Sequence, residues 1–149
     1  MIPQILRLSA PALLALAGGM ICCGGAGSGA SEIARGKYLV ENVAKCADCH
    51  SRRTPDGKLD ETRWLQGADL MFQPIHPMPV WARYAPEISG LAGMTPENGV
   101  RLLTTGIGPA GQPLRPPMPD FRMTEEDAKA VVAYLRTLPM SGSPVERAP

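Results

Sequence analysis

The chain has 149 residues, with 15 basic and 14 acidic side chains and a formal net charge of +1. One compact domain is expected at this length, and so even a charge balance, with no clear basic patch, excludes nucleic-acid binding. With four cysteines and two histidines, few side chains are able to hold a transition metal.

Residues 1–30 read as an export signal. Arg7 is their only charge, residues 8–23 form an apolar run broken by Pro11 and Gly18-Gly19, and Ser28-Gly29-Ala30 offers small residues for cleavage. The run is short against the about 20 residues that a membrane span needs. A retained membrane anchor is the alternative. Cys22 and Cys23 raise lipid attachment, although Ile21 before Cys22 is bulkier than a bacterial lipoprotein site generally takes. Cleavage after Ala30 leaves 119 residues, the 149 less the first 30, with 14 basic and 14 acidic side chains. The expected organisation is an export signal over residues 1–30, one domain over residues 31–139 and a flexible tail over residues 140–149.

A first helix is expected over residues 32–44. Ser31 is its N-cap candidate and Glu32 suits the positive end of the helix dipole. Ile33, Gly36, Val40 and Val43 recur at helical spacing. Gly36 costs helix stability, about 1 kcal/mol against alanine, and its use would be to let another backbone cross closely.

This helix leads into Cys46-Ala47-Asp48-Cys49-His50. C-x-x-C-H is the pattern for covalent attachment of a c-type haem. On a helical turn, residues three apart share a face, so Cys46 and Cys49 can reach the vinyl groups along one haem edge. His50 then follows under the ring as the first axial ligand. Two other uses of a cysteine pair fit this chain less well. A zinc site needs about four ligands, and there is no second C-x-x-C and only one other histidine, His76. A redox dithiol is expected beside a βαβ pattern, which the chain lacks.

Residues 51–94 are poorly periodic and rich in proline, with Trp64, Phe72, Trp81 and Tyr84 interspersed. A loop this long needs something to organise it, and a buried haem would do so. Part of it is expected to carry a short helix of unassigned position. Trp64 or Arg63 is the candidate to bond a haem propionate. Lys45, Arg52 and Arg53 flank the motif, either as solvated charges or to steer an acidic partner.

The second helix is short, over residues 96–105, with Thr95 as N-cap, Pro96 at the first helical position and Gly106 as the stop. Val100 and Leu103 share a face. The third runs over residues 125–138. Thr124 caps it and Asp127 completes a variant capping box. Acids fill its first turn and Arg136 its last. Ala128, Val131, Val132, Leu135 and Leu138 form its apolar stripe, and Pro139 ends it.

A second iron ligand is expected from a methionine or histidine, or the position is left open. Of the methionines at 71, 78, 94, 118, 123 and 140, Met118 stands out in Arg115-Pro116-Pro117-Met118-Pro119. Prolines on both sides stiffen this loop, so little entropy remains to be lost on ligation. Met78, in His76-Pro77-Met78-Pro79, is the competitor, and His76 would give a bis-histidine site.

The order of helix, C-x-x-C-H, irregular segment, short helix, proline-framed methionine and last helix resembles the mono-haem class I c-type cytochromes. It is especially similar to the cytochrome c modules that accompany bacterial alcohol, aldehyde and sugar dehydrogenases. The resemblance is carried by Gly36-Lys37-Tyr38-Leu39 with the motif, Tyr84-Ala85-Pro86-Glu87-Ile88, Gly111-Gln112-Pro113-Leu114 to Met118-Pro119, and Thr124-Glu125-Glu126-Asp127 to Pro139. It implies a mainly α class I cytochrome c-like fold, three or more helices around one covalent haem c. It also implies that Cys46 and Cys49 bind the haem, that His50 and Met118 ligate its iron, and that the first and last helices cross at Gly36 with Tyr134 nearby. The enzyme-associated relatives often carry three modules on one chain, whereas this chain has one C-x-x-C-H.

The expected function is periplasmic electron transfer, from a dehydrogenase or other donor to an oxidase or other acceptor. A six-coordinate His/Met iron has no open position for a substrate, so the chain is expected to be a carrier rather than an enzyme. The alternatives are a haem enzyme or gas sensor with an open iron, and a zinc module without haem.

Overall fold

The computed structural model describes residues 27–142. The export-signal reading falls mainly on residues 1–26, outside the described residues. Among the described residues no helix is long and apolar enough to cross a membrane.

Helix α1 spans Gly27–Tyr38. It therefore begins before Ser31, which is not its N-cap. Its continuation, Leu39–Val43, is a π-helical turn, closed by the Ala44 N–H on the Leu39 carbonyl at 2.7 Å. A turn closed five residues back holds one residue more than an α-turn, so the helical stripe slips. Leu39 and Val40 are buried, while Val43 is 56% exposed, against the expectation that it would share the buried face. The slip brings the chain round to Lys45, at φ 53°, and into the one-turn helix α2, Ala47–His50.

The irregular region contains two single-turn 3-10 helices, Glu61–Arg63 and Ser89–Leu91. It also contains a two-residue antiparallel pair of strands, β1 Ala68–Asp69 and β2 Tyr84–Ala85, with Ala68 opposite Ala85. Helix α3 is Pro96–Thr105, where Thr95 Oγ1 accepts from the Asn98 N–H and Gly106 stops the helix at φ 73°. Helix α4 is Glu125–Thr137, where Thr124 Oγ1 accepts from the Asp127 N–H. Both follow the expected bounds to within one residue, because their caps are local and chemical.

The core forms where α1 and α4 cross. A Cβ on Gly36 would overlap the Ala130 carbonyl and press on Tyr134 Cβ, so only glycine lets the two backbones meet. Arg35 clasps Asp127 across the crossing, Nε to Oδ1 at 2.9 Å and Nη2 to Oδ2 at 3.2 Å. Exposed as it is, this pair adds little to stability. The stripe of α4 faces inward as expected, with Ala128, Val131, Val132 and Leu135 all buried. Leu103 of α3 joins that core and Gly99 packs on Val132. The result is a mainly α fold with short irregular connections, consistent with the class I cytochrome c architecture.

Candidate functional site

The motif turn is an α-turn, with the His50 N–H on the Cys46 carbonyl at 2.9 Å and the Ser51 N–H on the Ala47 carbonyl at 3.0 Å. The spacing thus takes the helical form that puts Cys46 and Cys49 on one face. Both thiols are free. Burial pushes Cys46 up to about 11, and burial followed by the Asp48 charge also raises Cys49. In the metal-free protein both therefore stay as thiols at neutral pH. Among the described residues no group of three or more His, Cys, Asp or Glu side chains could hold a metal ion, which leaves the zinc reading without a ligand set.

His50 is buried, and its Nδ1 lies 2.7 Å from the Pro86 carbonyl oxygen. A carbonyl only accepts, so Nδ1 carries the hydrogen and Nε2 keeps its lone pair. Burial holds the imidazole below the ordinary histidine value, with the Pro86 hydrogen bond acting against it. The side chain is therefore neutral, singly oriented and basic at Nε2, as a metal ligand must be. Pro86 was part of the Tyr84-Ala85-Pro86-Glu87-Ile88 stretch, but its role as acceptor has no signature in a side chain.

The irregular region is built onto the motif backbone. Gly67 N–H donates to the His50 carbonyl at 2.8 Å, and Leu65 N–H donates to Ser51 Oγ at 2.8 Å. Ile88 N–H then donates to the Leu65 carbonyl at 2.9 Å. Ser51 is buried and sequence reasoning missed it, although a hydroxyl directly after the motif was the available signal.

The Met118 loop is stitched to the segment before β2. Arg115 Nε donates to the Val80 carbonyl at 3.0 Å and its Nη2 to the Trp81 carbonyl at 3.2 Å. Ala82 N–H donates to the Pro116 carbonyl at 2.7 Å, and Met118 N–H closes a turn on the Arg115 carbonyl at 3.1 Å. Met118 is partly buried and lies close to His50. The competitors sit differently. His76 is exposed. Met78 is 43% exposed and lines an open groove of about 640 Å³ with Phe72 and Trp81.

Trp81 Nε1 is a buried donor with no partner, the one such side-chain atom among the described residues. An unpaired buried N–H costs about 1–3 kcal/mol, so it points to an acceptor that belongs there. A haem propionate has the right chemistry, and the indole stands on the segment that Arg115 ties to Met118. The donor set as a whole fits haem c: two thiols on one turn, an oriented neutral imidazole, a partly buried thioether and an orphaned N–H. The expected propionate partners, Trp64 and Arg63, differ in burial. Trp64 is partly buried against the core cluster that contains Tyr134, and Arg63 is exposed. Of the flanking cations, Arg53 bonds the Gly57 carbonyl at 2.9 Å and faces Asp48 at 3.7 Å.

Comparison with known proteins agrees with this geometry. The profile of the family described as Cytochrome c matches residues 33–139. A protein described as "Diheme cytochrome c-type" from Cereibacter sphaeroides is 29% identical over 116 residues, covering 74% of this chain. This chain spans 36% of that relative's length. Covalent haem c is the cofactor of this family, and Cys46 and Cys49 have the spacing that fits one haem. The matched span takes in the attachment turn, the Pro86 acceptor, the Met118 loop and both crossing helices, and the chain belongs to the cytochrome c family.

Proposed function

We propose that this chain is an exported, single-haem electron carrier in which Cys46 and Cys49 hold haem c by thioether bonds and His50 and Met118 are the axial ligands. Haem-based electron transfer is the activity of the family; the ligand set, the single haem and a periplasmic location are this proposal's own. The hydrogen bond from His50 Nδ1 to Pro86 carries it, since it prepares one imidazole nitrogen and no other for a metal.

When bound, the haem supplies a one-electron Fe(II)/Fe(III) couple. The protein's part is to keep the ligand set fixed and dry, so that little rearranges between the two states. His50 is held by Pro86, and Met118 by a loop with prolines on both sides and by the Arg115 bonds. Methionine ligation favours the reduced iron and raises the potential. The donor is proposed to be a periplasmic dehydrogenase or similar enzyme and the acceptor an oxidase or another carrier, by likeness to the enzyme-associated modules. Cytochrome c domains are typically exported, in keeping with the reading of residues 1–30.

The test is to make the protein in a host that attaches haem c, extract it with acid–acetone, and expose the reduced form to carbon monoxide. Haem that stays with the polypeptide and carbon monoxide binding that is slow or absent are expected. Rapid carbon monoxide binding would instead show an open iron and a sensor or enzyme.

A further inference from the structure

The hydrogen bond that orients His50 depends on one carbonyl, that of Pro86, and proline has no N–H with which to anchor itself. The loop after it is tied to Leu65 through the Ile88 and Ser89 N–H groups, and the next residue, Glu87, is tied to the chain beyond α4. The Glu87 carboxylate accepts from Ser89 Oγ at 2.8 Å within the loop. It also accepts from two donors on the segment after α4, Ser141 N–H at 2.5 Å and Ser141 Oγ at 2.6 Å. A second contact docks the same segment. A Cβ on Gly90 would overlap Met140 Cγ and lie against the Leu138 carbonyl, so Met140 rests on a glycine. The expected flexible tail is thus pinned at Met140 and Ser141, and residues 143–149 lie outside the described residues.

We infer that Glu87 is a positioning residue for the proximal histidine: it clamps the Pro86 carbonyl to the end of α4 and so sets how strongly His50 Nδ1–H is held. The inference rests on the reading of His50 as iron ligand. The line of contacts is continuous. α4 is fixed on α1 at Gly36, Ser141 follows α4, and Glu87 joins Ser141 to the residue that orients His50. Glu87 stays ionised in this place: burial pushes its carboxyl up, but the Ser141 and Ser89 hydrogen bonds outweigh that and hold it below the ordinary glutamate value. Partners beyond the first ligand raise its basicity. A slackened Pro86 carbonyl makes Nε2 a poorer donor, destabilises Fe(III) and raises the potential.

The test uses full-length holoprotein in the reduced, diamagnetic state. The exchange rate of the His50 Nδ1–H is read by nitrogen-15 NMR and the midpoint potential by spectroelectrochemistry. Ser141→Pro removes both tail donors and leaves the Glu87 charge in place, so a potential change cannot be a charge effect. Exchange about threefold to tenfold faster is expected, the factor that one net hydrogen bond is worth, with an upward shift in potential. Ser141→Thr keeps both donors and restores wild-type values. Ser141→Ala keeps the backbone donor and gives a smaller change in the same direction, which serves if the proline variant does not fold. Unchanged exchange and potential in Ser141→Ala and Ser141→Pro, even with lower global stability, would overturn the clamp and leave Ser141 a structural tether. A wild-type holoprotein with no resonance from an iron-bound His50 would overturn the ligand reading, and the clamp with it.

Discussion

Gly36 lies against the Ala130 carbonyl so closely that no side chain fits between them. The relationship joins two helices more than ninety residues apart in sequence and makes the frame on which the site is hung. Gly36→Ala gains helix propensity of about 1 kcal/mol but crowds backbone, which cannot step aside. The second effect wins. With the overlap falling on backbone, the crowding cost lies at the upper end of the about 1–3 kcal/mol typical of overpacking, so a net loss of about 2 kcal/mol is expected, read as a lower denaturant midpoint of the holoprotein.

Tyr134 gives the crossing a pH dependence. Its hydroxyl donates to Glu41 Oε1 at 2.5 Å, and burial together with that carboxylate pushes the phenol up from its usual value of 10.0. A raised pKa means that the folded form keeps a proton which the unfolded chain releases. The contribution is complete below the unfolded value and is lost as pH rises above about 10 towards the folded value. Stability measured from pH 9 upward is expected to fall more steeply in wild type than in Tyr134→Phe. Equal slopes would show that the phenol is not protected.

Arg115 is expected to matter through Met118. Arg115→Ala removes the bonds to the Val80 and Trp81 carbonyls and frees the loop. The folded protein should survive, because both bonds are exposed, but added imidazole or cyanide should displace the sixth ligand more readily than in wild type. Titration of the oxidised protein with either ligand checks this.

Trp81 is expected to be a cofactor partner more than a core residue. Trp81→Phe removes the orphaned Nε1 and keeps an aromatic ring near Phe72, whose ring meets that of Trp81 edge-on at 5.9 Å. A hydrogen bond to a charged group is worth about 1.5–3 kcal/mol, so the holoprotein should lose stability on this scale. The pH dependence of its potential should move with the lost propionate partner. A variant as stable as wild type, with the same profile, would assign the indole a different role.

The parts legible in the sequence were those with local chemistry. Thr95, Gly106 and Thr124 mark helix ends because a cap is made by the residue itself and its near neighbours. The motif was legible because three covalent or coordinating side chains sit within five residues. The π-turn at Leu39–Val43 was not, since no composition distinguishes it from an α-turn and its effect is a shift in which apolar residues face inward. Nor was the Pro86 carbonyl, because backbone acceptors are identical in every residue. Trp64, and not Trp81, was a candidate propionate partner; that Trp81 holds the buried unpartnered Nε1 is set by tertiary packing, which an indole in an irregular region does not reveal. The Ser141 contact was missed for a related reason. A polar residue after the last helix signals a free end, and its partner Glu87 lies 54 positions away.

The central claim is the ligand pair His50 and Met118. Its most direct measurement is the near-infrared spectrum of the oxidised holoprotein, where a thioether bound to iron gives a weak sulfur-to-iron band. The band is expected in wild type, in Met78→Ala and in His76→Ala, and it is expected to vanish in Met118→Ala while the haem stays covalently attached. A band that persists in Met118→Ala, or that is missing from wild type with haem in place, would contradict the assignment.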